Sequence, residues 1–165
     1  MTDRTRTYSW DDPLATSGRV DGLSGLEFIE RIVAGDIPAP PIAQTLGFEL
    51  VEVAPGRAVF ECEPAEFHYN PIGSVHAGLA STLLDSAMGC AFMSTLEEGV
   101  GWTTLELKAN FTRPLSASTG RVRCTGTVVH AGRTVGTTEG RIEDASGKLY
   151  AHGTSTILVL RADGR

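Results

Sequence analysis

Cysteine is scarce in this chain, three in 165 residues. Cys62, Cys90 and Cys124 are widely spaced, odd in number and outside any C-x-x-C pattern, so they suggest neither a disulfide framework nor a thiolate metal site, and a reducing cytoplasm is the expected location. Basic charge is also scarce: 14 Lys and Arg stand against 20 Asp and Glu, a net charge of −6. They are scattered, so the electrostatic footprint of a nucleic-acid binder is missing. The first twenty or so residues have no apolar h-region, which argues against a secretory signal. One long hydrophobic run, Ala77 to Leu96, has the length of a membrane span, but it carries Asp85, five Ser or Thr and two Gly. It is expected to be a helix buried in protein, and no membrane partner is expected. His68, His130 and His152 have no metal-ligand spacing with Cys, Asp or Glu, so no metal is assigned. Ser81, Ser86 and Ser94 lack a G-x-S-x-G context, which argues against an α/β-type serine hydrolase.

With 41% hydrophobic and 21% charged residues, the chain suits one globular domain with a full core. Residues 1–22 lack periodicity and are expected to be a flexible arm. Residues 23–46 are expected to be a helical segment: Leu26, Ile29 and Ile32 fall at helical spacing from Ser24 to Ala34, with Ser24 as N-cap and Gly35 past the end. Pro38, Pro40 and Pro41 stop that helix, and another helical turn can start at Pro41. Residues 47–161 form the main domain. Phe48 to Ala54 and Arg57 to Glu63 are strand-like runs joined by the turn pair Pro55-Gly56.

After the apolar helix the period becomes 2. From Thr103 to Thr112 the apolar residues Leu105, Leu107, Ala109 and Phe111 alternate with polar ones, as in a half-buried strand. Gly120 to His130, Thr134 to Glu143 and Lys148 to Leu160 are further strands with hairpin-length breaks. The class is α+β: a curved, mostly antiparallel sheet of about six strands wrapped around one long helix. An uncovered sheet face or edge would favour self-association, so a dimer is expected.

The residues with chemical potential lie in NPIGSVHAGLASTLLD, Asn70 to Asp85. His76-Ala77-Gly78 stands where a loop becomes the long helix, so its backbone N–H groups lack intrahelical partners and could hold a developing oxyanion. Small residues there equally suit a tight junction. Asp85 is the only Asp, Glu, Lys, Arg or His between Gly78 and Leu96, and a carboxylate in an apolar helix is expensive unless paired or used. It lies eight residues past Ala77, roughly 12 Å along the helix, too far to serve a carbonyl held at its own helix start. An antiparallel helix across a dimer axis would bring the two together, so the site is expected to be shared between subunits. His76 suits either a general acid–base role or a loop-fixing hydrogen bond, with the second favoured. Tyr69-Asn70-Pro71 reads locally as a turn. Met88 and Phe92, four apart on one helix face, could wall a pocket, although Met88, Cys90, Phe92 and Met93 also suit a core.

These residues resemble the PaaI-type (phenylacetate-pathway) branch of hotdog-fold acyl-CoA thioesterases, in which Asn precedes His-Gly-Gly by six residues and Asp follows two turns into the helix. Asn70, His76-Ala77-Gly78 and Asp85 match it, and TTLELKANFTRP, Thr103 to Pro114, resembles the strand after the helix. The resemblance runs from about Pro41 to Leu160 and implies a hotdog fold with a short N-terminal helical extension. It implies hydrolysis of an acyl- or aroyl-CoA thioester with no cofactor, coenzyme A being part of the substrate. Asp85 would be nucleophile or general base, the Ala77 N–H (with Gly78) would polarise the carbonyl, and Asn70 would orient the carbonyl or the water. Thr104 falls where related enzymes place a Ser or Thr beside the water. The family forms dimers, commonly paired into tetramers. The first Gly of its motif is Ala77 here, which narrows the approach and keeps the donor. Met88, Phe92 and Trp102 are expected to shape the acyl pocket. Lys108, Arg113 and Arg133 are candidate phosphate contacts or, equally, surface ion-pair partners. A non-catalytic acyl-CoA binding module on the same fold is the rival reading, and a hydratase or dehydratase is a third.

Overall fold

A computed structural model describes residues 3–17 and 22–161. The parts of the expected arm at residues 1–2 and 18–21 lie outside the described residues. In the described part, helix α1 (Pro13–Ser17) is a single turn that periodicity did not signal; Asp12 Oδ1 accepts from its Leu14 N–H at 2.9 Å. Before it, two arginines reach the body: Arg4 pairs with Glu66 at 2.8 Å. Arg6 donates to the carbonyls of Thr45 and Gln44 at 2.6 and 2.8 Å, and its guanidinium stacks over Phe67.

Helix α2 (Gly25–Ala34) begins and ends where its sequence directs. Ser24 and Glu27 form a reciprocal capping box, and Gly35 closes the helix in the left-handed conformation. Pro41 starts α3 (Pro41–Leu46) at a position where its missing N–H costs nothing. Strands β1 (Phe48–Ala54) and β2 (Arg57–Cys62) follow, then a 3-10 turn at Glu66–His68 and the long helix α4 (Ala77–Met93). Four strands follow, β3 (Gly101–Phe111), β4 (Val122–Ala131), β5 (Val135–Asp144) and β6 (Leu149–Leu160), with a second 3-10 turn at Ala117–Thr119 between the first two.

All six strands pair antiparallel in the order β1-β2-β4-β5-β6-β3. Helix α4 packs against every strand, so the curved sheet wrapped around one helix is borne out. Leu83, Leu84, Ala87, Met88, Ala91 and Phe92 are all fully buried on it. The approach is close at Gly126 of β4, where a methyl group would overlap the α4 backbone at Ala87 and Met88. Buried Ser94 ties the helix end to the β1–β2 turn, accepting the Gly56 N–H at 2.8 Å. Among the described residues no helix is long and apolar enough to cross a membrane.

One strand departs from the expected alternation. Leu107 and Ala109 of β3 pack against the core, but Leu105 is 58% and Phe111 50% exposed. The ladder with β6 shifts between Thr104, opposite Ile157, and Glu106, opposite Thr156, so Leu105 is an extra, bulged residue. A β-bulge displaces the alternation by one, and Trp102, Thr104, Leu107 and Ala109 are consequently the half-buried residues of the strand.

Candidate active site

The start of α4 is held from both sides. His76 is the N-cap, and its Nδ1 accepts the Gly78 N–H at 2.8 Å. This is the loop-fixing role for His76. It also takes Gly78 out of the expected donor pair, because that N–H is occupied. The Ala77 N–H has no hydrogen-bond acceptor among the described residues. Asn70 folds its own turn: Oδ1 accepts from the N–H groups of Ile72 and Ser74 at 3.1 and 3.2 Å, and Nδ2 donates to Ser74 Oγ at 3.1 Å. His68 braces this loop from below. Its carbonyl accepts the His76 N–H at 2.8 Å, and its buried ring accepts from Ala65 N–H through Nδ1 and meets Leu46 O through Nε2 at 2.7 Å. Since Nδ1 accepts, the ring proton belongs on Nε2. Burial holds the His68 pKa below the usual histidine range.

A small cavity of about 200 Å³ lies beside this helix start. Ala77 and His76 line it together with Phe111, Arg113 and Tyr150. Arg113 also donates to Leu149 O at 2.6 Å. Of the three expected cations only Arg113 lines it; Lys108 is exposed on β3, and Arg133 is exposed in the β4–β5 turn.

Two turns along α4, Asp85 is half-buried and Thr104 Oγ1 donates to its Oδ1 at 2.9 Å. The next turn carries a second rung. Gly89, four residues after Asp85, faces Trp102, two residues before Thr104, and any side chain at Gly89 would overlap the indole ring. These rungs border a cavity of about 300 Å³, larger than the one at Ala77 and sharing no lining residue with it. Asp85, Ser86, Cys90 and Trp102 form one side. Phe28 and Ile32 of α2, the 38–40 link and the aromatic rings of Phe48 and Phe60 form the other. Burial, with the Asp85 charge adding to it, pushes the Cys90 thiol up to about 12, so it stays neutral.

Two expectations about the pocket are corrected. Met88 and Phe92 are fully buried core side chains and do not line this cavity. Met88 packs towards Gly140, and Phe92 fills the space beside Gly136 that a side chain there would need. On a helix apolar all round, periodicity cannot distinguish a cavity face from a core face. The usable signal was the stripe of polar or small residues Asp85, Ser86, Gly89 and Cys90. The walls from α2 went unrecognised because the Leu26, Ile29 and Ile32 spacing marks an apolar helix face without saying what it meets, and Phe28 lies off that stripe. Trp102 also lines this cavity.

The chain matches the family model of the thioesterase superfamily over residues 72–151, the stretch from the Asn70 turn into β6. It is 30% identical over 118 residues to a 1,4-dihydroxy-2-naphthoyl-CoA hydrolase of Listeria monocytogenes serotype 1/2a (strain 10403S), covering 72% of this chain and 94% of that one. This chain is a member of the thioesterase superfamily. It is also 32% identical over 108 residues to human acyl-coenzyme A thioesterase 13, covering 65% of this chain and 76% of the relative. A point mutant of the phenylacetic acid degradation protein PaaI from Thermus thermophilus superposes with a TM-score of 0.66 at 30% identity, covering 73% of this chain and all of the other. A Streptococcus mutans protein bound to acetyl CoA superposes with a TM-score of 0.63 at 25% identity, over 69% and 89% of the two chains. The PaaI-like hotdog thioesterase is therefore the right family for this chain, and thioester hydrolysis is its general chemistry.

Proposed function

We propose that this thioesterase hydrolyses acyl-CoA thioesters in a site where Asp85 and Thr104 of one copy meet the partner's Ala77. The observation that carries the reading is the Thr104–Asp85 hydrogen bond beside a largely apolar cavity. A carboxylate bordering that cavity needs a partner or a use, and a single hydroxyl anchors one of its oxygens while the other stays unengaged. The names of the Listeria and human relatives, and the acetyl CoA of the Streptococcus protein, support a coenzyme A thioester as the substrate class.

In this reading water attacks the thioester carbonyl carbon as Asp85 Oδ2 takes its proton. A C–O bond forms, and the carbonyl π electrons move onto oxygen, which the Ala77 N–H stabilises at the positive end of α4. Collapse of the tetrahedral intermediate breaks the C–S bond, and the proton held by Asp85 passes to the departing sulfur. The products are the free acid and CoA thiol. Arg113 lines the cavity of Ala77, and in this reading its guanidinium would meet a phosphate of the CoA portion.

Three observations favour a site completed by a second copy. Asp85 and Ala77 are roughly 12 Å apart along one helix. They line separate cavities. Strand β3 ends the sheet order with an open edge and exposes Leu105 and Phe111. The test is thiol release over a panel of acyl-CoAs for the wild type and Asp85→Asn. The expected result is a loss of turnover of about 10²- to 10⁴-fold with an unchanged melting temperature. Near wild-type turnover in that variant defeats the assignment, and tight binding with no release by the wild type makes the protein a binding module.

A further inference from the structure

The polar and apolar linings of the Asp85 cavity are segregated. Asp85, Ser86 and Cys90, its polar residues, all belong to α4. The residues that α2, the 38–40 link, β1 and β2 contribute are without exception apolar. This far wall is a docked part of the fold. Gly25 donates to Leu96 O at 3.0 Å and sits so close to the Met93 backbone that no side chain fits there, and Ile29 is fully buried. Phe28 and Ile32, four apart and hence on one helix face, border the cavity.

We propose that α2 and the 38–40 link form the end wall of an acyl chamber that selects unsubstituted hydrocarbon acyl groups of about ten to twelve carbons. The proposal rests on the hydrolase reading above. An apolar cavity of ~150 Å³ accommodates benzene, six carbons, so a chamber of about 300 Å³ accommodates about twice that number. A hydroxyl on the acyl tail would lie against Phe28, Ile32 and Pro38, which offer no hydrogen-bonding side chain. Straight chains and fused rings share this chemistry, and both belong in the test.

Thiol release is measured with straight-chain acyl-CoAs from two to sixteen carbons, with naphthoyl-CoA, and with decanoyl-CoA carrying a terminal hydroxyl. The expected profile of kcat/KM peaks at about ten to twelve carbons and drops about tenfold or more for the hydroxylated tail; the better of decanoyl and naphthoyl identifies the shape of the accepted hydrocarbon. Phe28→Ala lengthens the chamber and moves the peak to longer chains. Ala39→Leu fills it and moves the peak to shorter ones, while both variants melt within a few degrees of the wild type. A peak at two to four carbons, tolerance of the hydroxyl, or a profile that neither substitution moves overturns the proposal while hydrolysis stands. No release from any thioester overturns the hydrolase reading instead.

Discussion

Thr104 reaches Asp85, at 2.9 Å, from a strand that is bulged one residue further on. Thr104 and Leu107 are three apart, and in a regular strand they would point to opposite faces. The extra residue Leu105 lets both turn towards α4, one onto the carboxylate and the other into the core. Removing only the hydroxyl tests what the contact does. Thr104→Val should keep the fold and lower kcat about 10- to 100-fold, with Thr104→Ser restoring most of it, as measured by thiol release. Equal activity in all three would make the bond merely structural.

The bulge also leaves Leu105 on the open edge of the sheet. For an isolated chain, Leu105→Glu at a 58% exposed position should change stability by no more than about 0.5 kcal/mol. If a second copy covers this edge, the same substitution converts the assembly to monomers and abolishes turnover. Light scattering coupled to size exclusion decides between the two, and we expect dissociation.

A shared site has a genetic signature. Ala77→Pro removes the proposed oxyanion donor at a helix position where proline is well tolerated, and Asp85→Asn removes the proposed base. Each variant alone should be inactive. In a mixed dimer one site carries both defects and the other is intact, so co-expressed chains should recover about a quarter of wild-type activity. No recovery from a demonstrably mixed dimer would place both groups in a site of one chain.

Gly89 is predicted to be intolerant. Its missing side chain is what gives the Trp102 ring room against α4. Gly89→Ala should cost about 1–3 kcal/mol in chemical denaturation and displace the indole on the cavity wall, raising KM more than it lowers kcat. A change in kcat alone would contradict this.

His68 makes stability pH-dependent. Burial, the largest cause, depresses its pKa, the Arg6 charge adds to this, and the Leu46 carbonyl opposes it. The unfolded chain then binds the proton more readily than the folded one, so stability is full above about 6.5 and declines as pH falls below that value towards the folded pKa. Protonation would also destroy the acceptor that holds the Ala65 N–H. Melting temperature against pH should show this slope, and His68→Gln should flatten it.

Local sequence determined much of this protein. Ser24, Gly35 and Pro41 set the ends of the short helices, Pro55-Gly56 set the first hairpin, and period-2 runs marked the later strands within a residue or two. Those signals act between neighbours, where capping and turn preferences operate. The combination around Asn70, His76 and Asp85 was legible for the same reason, because its spacing lies within one loop and one helix. Tertiary structure alone decided which residues share the cavity. Phe28 and Ile32 share a cavity with Asp85 only because α2 folds back over the α4 face, and Met88 and Phe92 turn into the core because Gly140 and Gly136 leave room for them there. The Leu105 bulge, invisible in an alternating run, is set by pairing with β6 some fifty residues away. Contacts so distant in sequence depend on the shape of the whole sheet, and no window of neighbouring residues contains that information.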